Sequence, residues 1–180
     1  MADTQGFGQE TAIVRLTAVD ILRRNPDSVV VPFDTAAYEA KVDAGDTVLS
    51  LAERLAKYGG GRTNCSLPLA AASARYANRR FASCVLVSDQ ESLVGVGRGG
   101  ETAVMTEWQR FVANQKRLRG KAVQPKLVCI NLQPYTTTQA PERSDNLNVG
   151  GFSDAVFSVV ASFLADDNNR FVADVEKVEL

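Results

Sequence analysis

Apolar positions follow two different periods along this chain, and the two periods alternate. From Glu10 to Arg24, "ETAIVRLTAVDILRR" sets Ile13, Val14, Leu16, Val19, Ile21 and Leu22 at helical spacing, and "NPD" then breaks the run. The short β-branched stretch "SVVVPF", residues 28–33, predicts a buried strand, with Pro32 at its end or on an edge. "AYEAKVD" alternates loosely and predicts a short strand beside it, in a hairpin-like excursion. In "TVLSLAERLAKY", Val48, Leu51, Leu55 and Tyr58 share one helical face behind an N-cap at Asp46 or Thr47. The run Gly59, Gly60, Gly61 ends that helix, because glycine tolerates the left-handed position past a helix terminus.

The second half repeats the alternation. "SLPLAAASARYA" predicts a helix with Ser66 as N-cap and Pro68 in the first turn, where a missing N–H does no harm. "FASCVLVSD" is a buried strand closing on Asp89, and "ETAVMTEWQRFVANQKRL" is an amphipathic helix. "PKLVCINL" is another buried strand; "QPYTTTQAPERSDNLNVGG" reads as a polar loop. "FSDAVFSVVASFLA" is a helix starting near Ser153 or Asp154, and "DNNRFVADVEKVEL" predicts a last short helix. Apolar strands alternating with amphipathic helices imply an α/β fold, a doubly wound and mostly parallel sheet with helices on both faces. Ligands of such sheets bind beyond the carboxyl ends of the strands.

Composition narrows the function. A chain of 180 residues suits one domain, here residues 10–180 behind a flexible segment 1–9. A net charge of −1 gives no overall field toward nucleic acid or an anionic membrane. A local basic patch is left open, from "NQKRLRGK" (Asn114 to Lys121) with Arg62, Arg79 and Arg80; its plain reading is a solvated helix end that complements the dipole. The absence of histidine excludes a serine–histidine triad and histidine-ligated metals. The three cysteines form no CxxC pair; Cys84 and Cys129 sit in strand-like runs as small core residues, which fits a reducing, cytoplasmic setting. The N-terminus has no signal-peptide pattern, and no apolar run nears the roughly 18 residues of a membrane span.

The candidate chemistry lies in two loops. Asp89 ends one strand, and Thr63 and Ser66 precede a helix, so the topology expects both at the carboxyl rim. Carboxylate and hydroxyl oxygens suit magnesium. The plainer reading makes Thr63 and Ser66 helix caps and Asp89 a turn residue. "GGGRTN" lacks the lysine of a phosphate loop and follows a helix. Gly95, Gly97 and Gly100 spell GxGxxG, but too far past their strand for a dinucleotide turn.

"GGGRTNCSLPL", "VLVSDQES", "PKLVCINLQPYTTTQ" and "NVGGFSDAVF", in this order, resemble the von Willebrand factor A domain of the Ro (TROVE) ribonucleoproteins, most nearly the bacterial members. The resemblance covers roughly Glu10 to Leu180. It implies a doubly wound fold with a metal-ion-dependent adhesion site at the carboxyl rim, in which Thr63 matches the threonine and Asp89 the aspartate. Ser66 is a further candidate. The family's Asp-x-Ser-x-Ser loop and its first central strand have no counterpart, since Asp3 is followed by Thr4, Gln5, Gly6 and Phe7. The resemblance therefore implies a domain incomplete at its N-terminus, with that strand missing or replaced by the N-terminal segment, a second chain or a swapped copy. Magnesium binding is expected to be weak or absent.

The resemblance implies a non-catalytic binding module of a Ro-like RNA-binding ribonucleoprotein. It would contact protein partners, such as a nuclease or another RNA-processing factor, with Y-type RNA held by an upstream helical-repeat domain outside this chain. Homo-oligomers and strand-swapped assemblies are open; membranes are not expected. Two alternatives stand beside it. One is an enzyme using Asp89 with Ser66 or Cys65 as nucleophile; the other is direct RNA binding by the basic patch.

Overall fold

The structure is a computed structural model, and it describes residues 18–19, 21–58, 63–88, 102–120, 124–131, 143–151 and 153–165. Residues 18–19 and 21–24 are helical. The named elements that follow are α1 (Val48–Leu55), α2 (Leu67–Arg75), β1 (Ser83–Ser88), α3 (Ala103–Arg119), β2 (Lys126–Asn131), β3 (Asn146–Gly150) and α4 (Asp154–Leu164).

The sheet is parallel, in the order β1-β2-β3. Registered partners put Cys84, Leu86 and Ser88 of β1 on the same face as Leu127, Cys129 and Asn131 of β2. That face packs on α2 and α3 through Cys65, Leu69, Met105, Trp108 and Phe111. On the opposite face Val128 and Ile130, flanked by Val85, Val87, Leu147 and Val149, pack on Val156 and Val160 of α4. β2 is buried on both sides, which is why its apolar run is nearly continuous. A third cluster stands apart from the sheet. Val19, Leu22, Leu51 and Leu55 pack with Val30, Ala40, Val42 and Ala44.

Local chemistry sets the helix ends. The Thr47 hydroxyl accepts from the Ser50 amide, and the Thr102 hydroxyl accepts from the Met105 amide. α3 stops at Gly120, whose φ of 99° is a conformation that side-chain-bearing residues rarely adopt. Trp108 and Phe111 stack one turn apart on the buried stripe of α3, centroids 5.4 Å apart.

Three expectations change. Residues 28–33 form no ladder strand; the stretch makes an isolated antiparallel bridge, Phe33 to Ala37. Its β-branched residues favour extended backbone, but a ladder needs a neighbouring strand, and the described residues offer none. The outer edge of β1 likewise has no strand partner among the described residues. "NLNVG" is not loop but β3, because parallel pairing with β2 satisfies its backbone. Val48, expected on the buried stripe of α1, is 39% exposed. The segments expected as N-terminal tail, glycine turn and C-terminal helix lie outside the described residues.

Candidate functional site

The three strands among the described residues run the same way, so their carboxyl ends make one rim. Ser88 and Asn131 end β1 and β2 there, both buried. The loop that opens α2, residues 63–66, is brought to this rim by two contacts. Its Cys65 thiol donates to the Ser88 hydroxyl at 3.5 Å. Its Asn64 amide donates to the Asp34 carbonyl at 3.0 Å. The rim therefore gathers three pieces of chain: Asp34, residues 63–66 and the end of β1.

Asn64 shapes the loop. Its Oδ1 accepts from the Ser66 amide at 3.2 Å and from the Ser66 hydroxyl at 2.7 Å, and its carbonyl accepts from the Leu67 amide. The cap's position is as expected, and its chemistry differs. Ser66 holds the N-cap position with helical φ and ψ and makes no capping bond of its own. Asn64 supplies the side-chain acceptor, two residues ahead, as short amides do in turns.

Asp34, which no sequence motif singles out, is a buried carboxylate beside this loop. Its Oδ1 accepts from the Tyr38 hydroxyl (2.8 Å), the Ala36 amide (3.0 Å) and the Thr35 hydroxyl (3.3 Å). The hydrogen bond to Asp34 raises the Tyr38 hydroxyl above its ordinary pKa, with desolvation and the carboxylate's charge acting the same way. A signal for Asp34 was present. It follows an apolar extended run, as Asp89 follows "CVLVS".

Of the expected metal-site residues, Thr63 stands half-buried at the start of the rim loop and Ser66 is buried behind it. Asp89 lies outside the described residues; Ser88, immediately before it, touches the loop. The Ser66 hydroxyl proton is committed to Asn64, which leaves Thr63 as the hydroxyl in the described loop not committed to its fold. A magnesium ion takes several oxygens, and no group of three or more His, Cys, Asp or Glu able to hold a metal occurs among the described residues. Cys65, one of the two nucleophiles the enzyme alternative would need, has 0% exposure and sits in the core. Burial pushes the Cys84 and Cys129 thiols up to about 12.

No family model matches this chain, and no curated protein matches it in sequence. Among solved structures it is similar to the Ro (RSR) protein of Deinococcus radiodurans, with a TM-score of 0.62 and 18% identity, covering 87% of this chain. The fold is von Willebrand factor A-like. The chain spans 29% of the length of that Ro protein, and the likeness at this identity concerns the fold alone. In this A-like fold the rim described above is the carboxyl end of the parallel sheet, the place where open α/β sheets bind ligands.

Proposed function

We propose that this chain is a non-catalytic binding module of a Ro-like ribonucleoprotein, and that the rim around Thr63, Asn64 and Ser88 is its contact surface for a protein partner. The observation that carries this reading is the docking of loop 63–66 on the end of β1 through Cys65 and Ser88. It turns a loop of hydroxyl and amide groups into a fixed feature of the sheet rim, where a partner can read it. Asp89, next in the chain after Ser88, would contribute a carboxylate to the same surface.

Magnesium has a minor part in this reading. A threonine hydroxyl and one carboxylate, in contact with water, offer the ion little that its hydration shell lacks. Calorimetry on the chain is expected to show no magnesium affinity in the micromolar range. Chemistry has no place in it, because Cys65 lies inside the core and the chain contains no histidine to activate a nucleophile.

The natural protein, isolated from cells with its bound factors, tests the proposal. A nuclease or another RNA-processing factor is expected to copurify with the wild type and to be lost from Thr63→Ala and Asp89→Ala variants that melt like the wild type. Retention of the same factor by both variants would contradict the assignment to the rim.

A further inference from the structure

Opposite the rim, at the amino end of β1, two helix ends meet. α2 ends at Arg75 and is followed by Arg79 and Arg80, while the last turn of α3 carries Lys116, Arg117 and Arg119. Side chains of α3 clamp the two together. The buried Gln115 donates to the Arg79 carbonyl (3.1 Å) and accepts from the Phe81 amide (2.8 Å), and Asn114 donates to the Ala77 carbonyl (3.0 Å).

Arg75, Arg79, Arg117 and Arg119 are then pinned by main-chain oxygens. Arg117 donates to the Ala77 carbonyl (3.3 Å) and to Asn114 Oδ1 (3.0 Å). Arg119 donates to the Phe81 carbonyl (2.7 Å), and Arg75 to the Ala37 carbonyl (2.8 Å). Arg79 donates to the Asp27 carbonyl, with its guanidinium 5.5 Å from the Phe81 ring centroid. Arg75, Arg79, Arg80, Arg117 and Arg119 are all exposed, and among the described residues none is paired with a carboxylate. A guanidinium has five N–H donors, so each pinned arginine holds its fork in place and keeps donors for a ligand.

Helix-dipole complementarity explains part of this. It accounts for cations within the last turns of α2 and α3. It does not account for Arg79 and Arg80, which lie past α2 and add like charge to the same spot in a chain of net charge −1. A shallow open depression of about 560 Å3 runs along residues 74–79, with Tyr76 in its wall. The exposed large apolar residues of the described chain, Val48 and Leu49, are on α1. A protein-binding face has an apolar centre, which this one lacks. Pinned guanidiniums with one aromatic ring are the equipment for a phosphate backbone.

We propose that this amino-end face binds single-stranded nucleic acid through Arg75, Arg79, Arg80, Arg117 and Arg119, with phosphates on the guanidinium forks and a base at Tyr76. The site is separate from the rim, and its success or failure leaves the rim assignment where it stands.

Fluorescence anisotropy with the full chain tests this, using labelled twelve-nucleotide oligouridylate and the DNA oligomer of the same length. Contact with about four phosphates of a single strand gives a log–log salt slope near −2.8, so affinity is expected to fall about 50-fold between 50 and 200 mM salt. Arg75→Glu with Arg80→Glu is expected to weaken binding at least tenfold and flatten the slope, with unchanged circular dichroism. Arg110→Gln, on the outer surface of α3, is expected to bind as the wild type does. Equal binding of RNA and DNA supports a backbone reader, and preference for RNA supports one that also uses the 2′-hydroxyl. Three results would overturn the proposal: no binding at 50 mM salt, undiminished binding by the double variant, or tighter binding of polyglutamate than of either oligomer.

Discussion

The Cys65 thiol lies 3.5 Å from the Ser88 hydroxyl, 23 residues further along the chain. That contact fixes the loop before α2 to the end of β1, and it is made inside the core rather than at the surface. A conservative change should loosen the loop without unfolding the sheet. Cys65→Ala removes a buried sulfur and its hydrogen bond, and an expected cost of about 1–2 kcal/mol follows. Urea denaturation measures it. A change within experimental error would mean the contact is not made.

Gln115 joins two elements by both ends of its amide. Gln115→Ala leaves the Phe81 N–H and the Arg79 carbonyl without their partner and opens a cavity. The expected loss is about 3 kcal/mol, large for one residue. Gln115→Glu keeps the acceptor for Phe81 and sets a carboxylate against the Arg79 carbonyl, so it should be no milder. A loss below about 1 kcal/mol for Gln115→Ala would contradict the clamp.

Two thiols of the sheet, half-buried Cys84 and buried Cys129, make stability depend on alkaline pH. Cys84 and Cys129 titrate at about 12 in the fold, against 9.0 ordinarily. Below pH 9 both states keep these protons, and the thiols have no effect on the pH profile. Above it the unfolded chain releases protons that the folded chain retains, so stability falls as pH rises toward 12. From pH 8 to pH 10 the expected fall is roughly 1 kcal/mol per thiol. The Cys84→Ala, Cys129→Ala double variant should show a smaller fall over the same interval; an equal fall would assign the loss to other groups.

Much of this architecture could be read from periodicity, and the misses share a cause. α3, β1 and β2 have long or strongly apolar patterns, and each formed about where the pattern put it. β3 was hidden because Asn146 and Asn148 alternate with Leu147 and Val149, and only pairing with β2 turns that short polar stretch into a strand. Residues 28–33 failed in the opposite sense, with strand-like side chains and no described neighbour to pair with. At the rim, Thr63 and Ser66 were legible as loop residues, but the organising role of Asn64 and the burial of Asp34 depend on contacts across the fold. The arginine face was half visible. Arg79, Arg80 and the 116–121 run were grouped from sequence, whereas Arg75 joins them only through the packing of α2 on α3.

The sheet itself is open to a backbone test. β2 has a strand on each side, while β1 has one partner among the described residues. Hydrogen exchange is expected to be slower at residues 127–131 than at 83–88. Equal protection of both strands would show that the outer edge of β1 is covered in solution.

The central proposal is that Thr63, in the rim loop, and Asp89, next in sequence after Ser88, share one lip of the sheet. Spin labels on Thr63→Cys and Asp89→Cys test it most directly, because Cys65 and Cys129 are buried and the Cys84 thiol is held protonated, which slows labelling of the native cysteines. Pulsed dipolar spectroscopy is expected to give a single short distance, below the roughly 20 Å length of a six-residue strand. A distribution centred well beyond that length would place the two residues at opposite ends of the molecule and contradict the account.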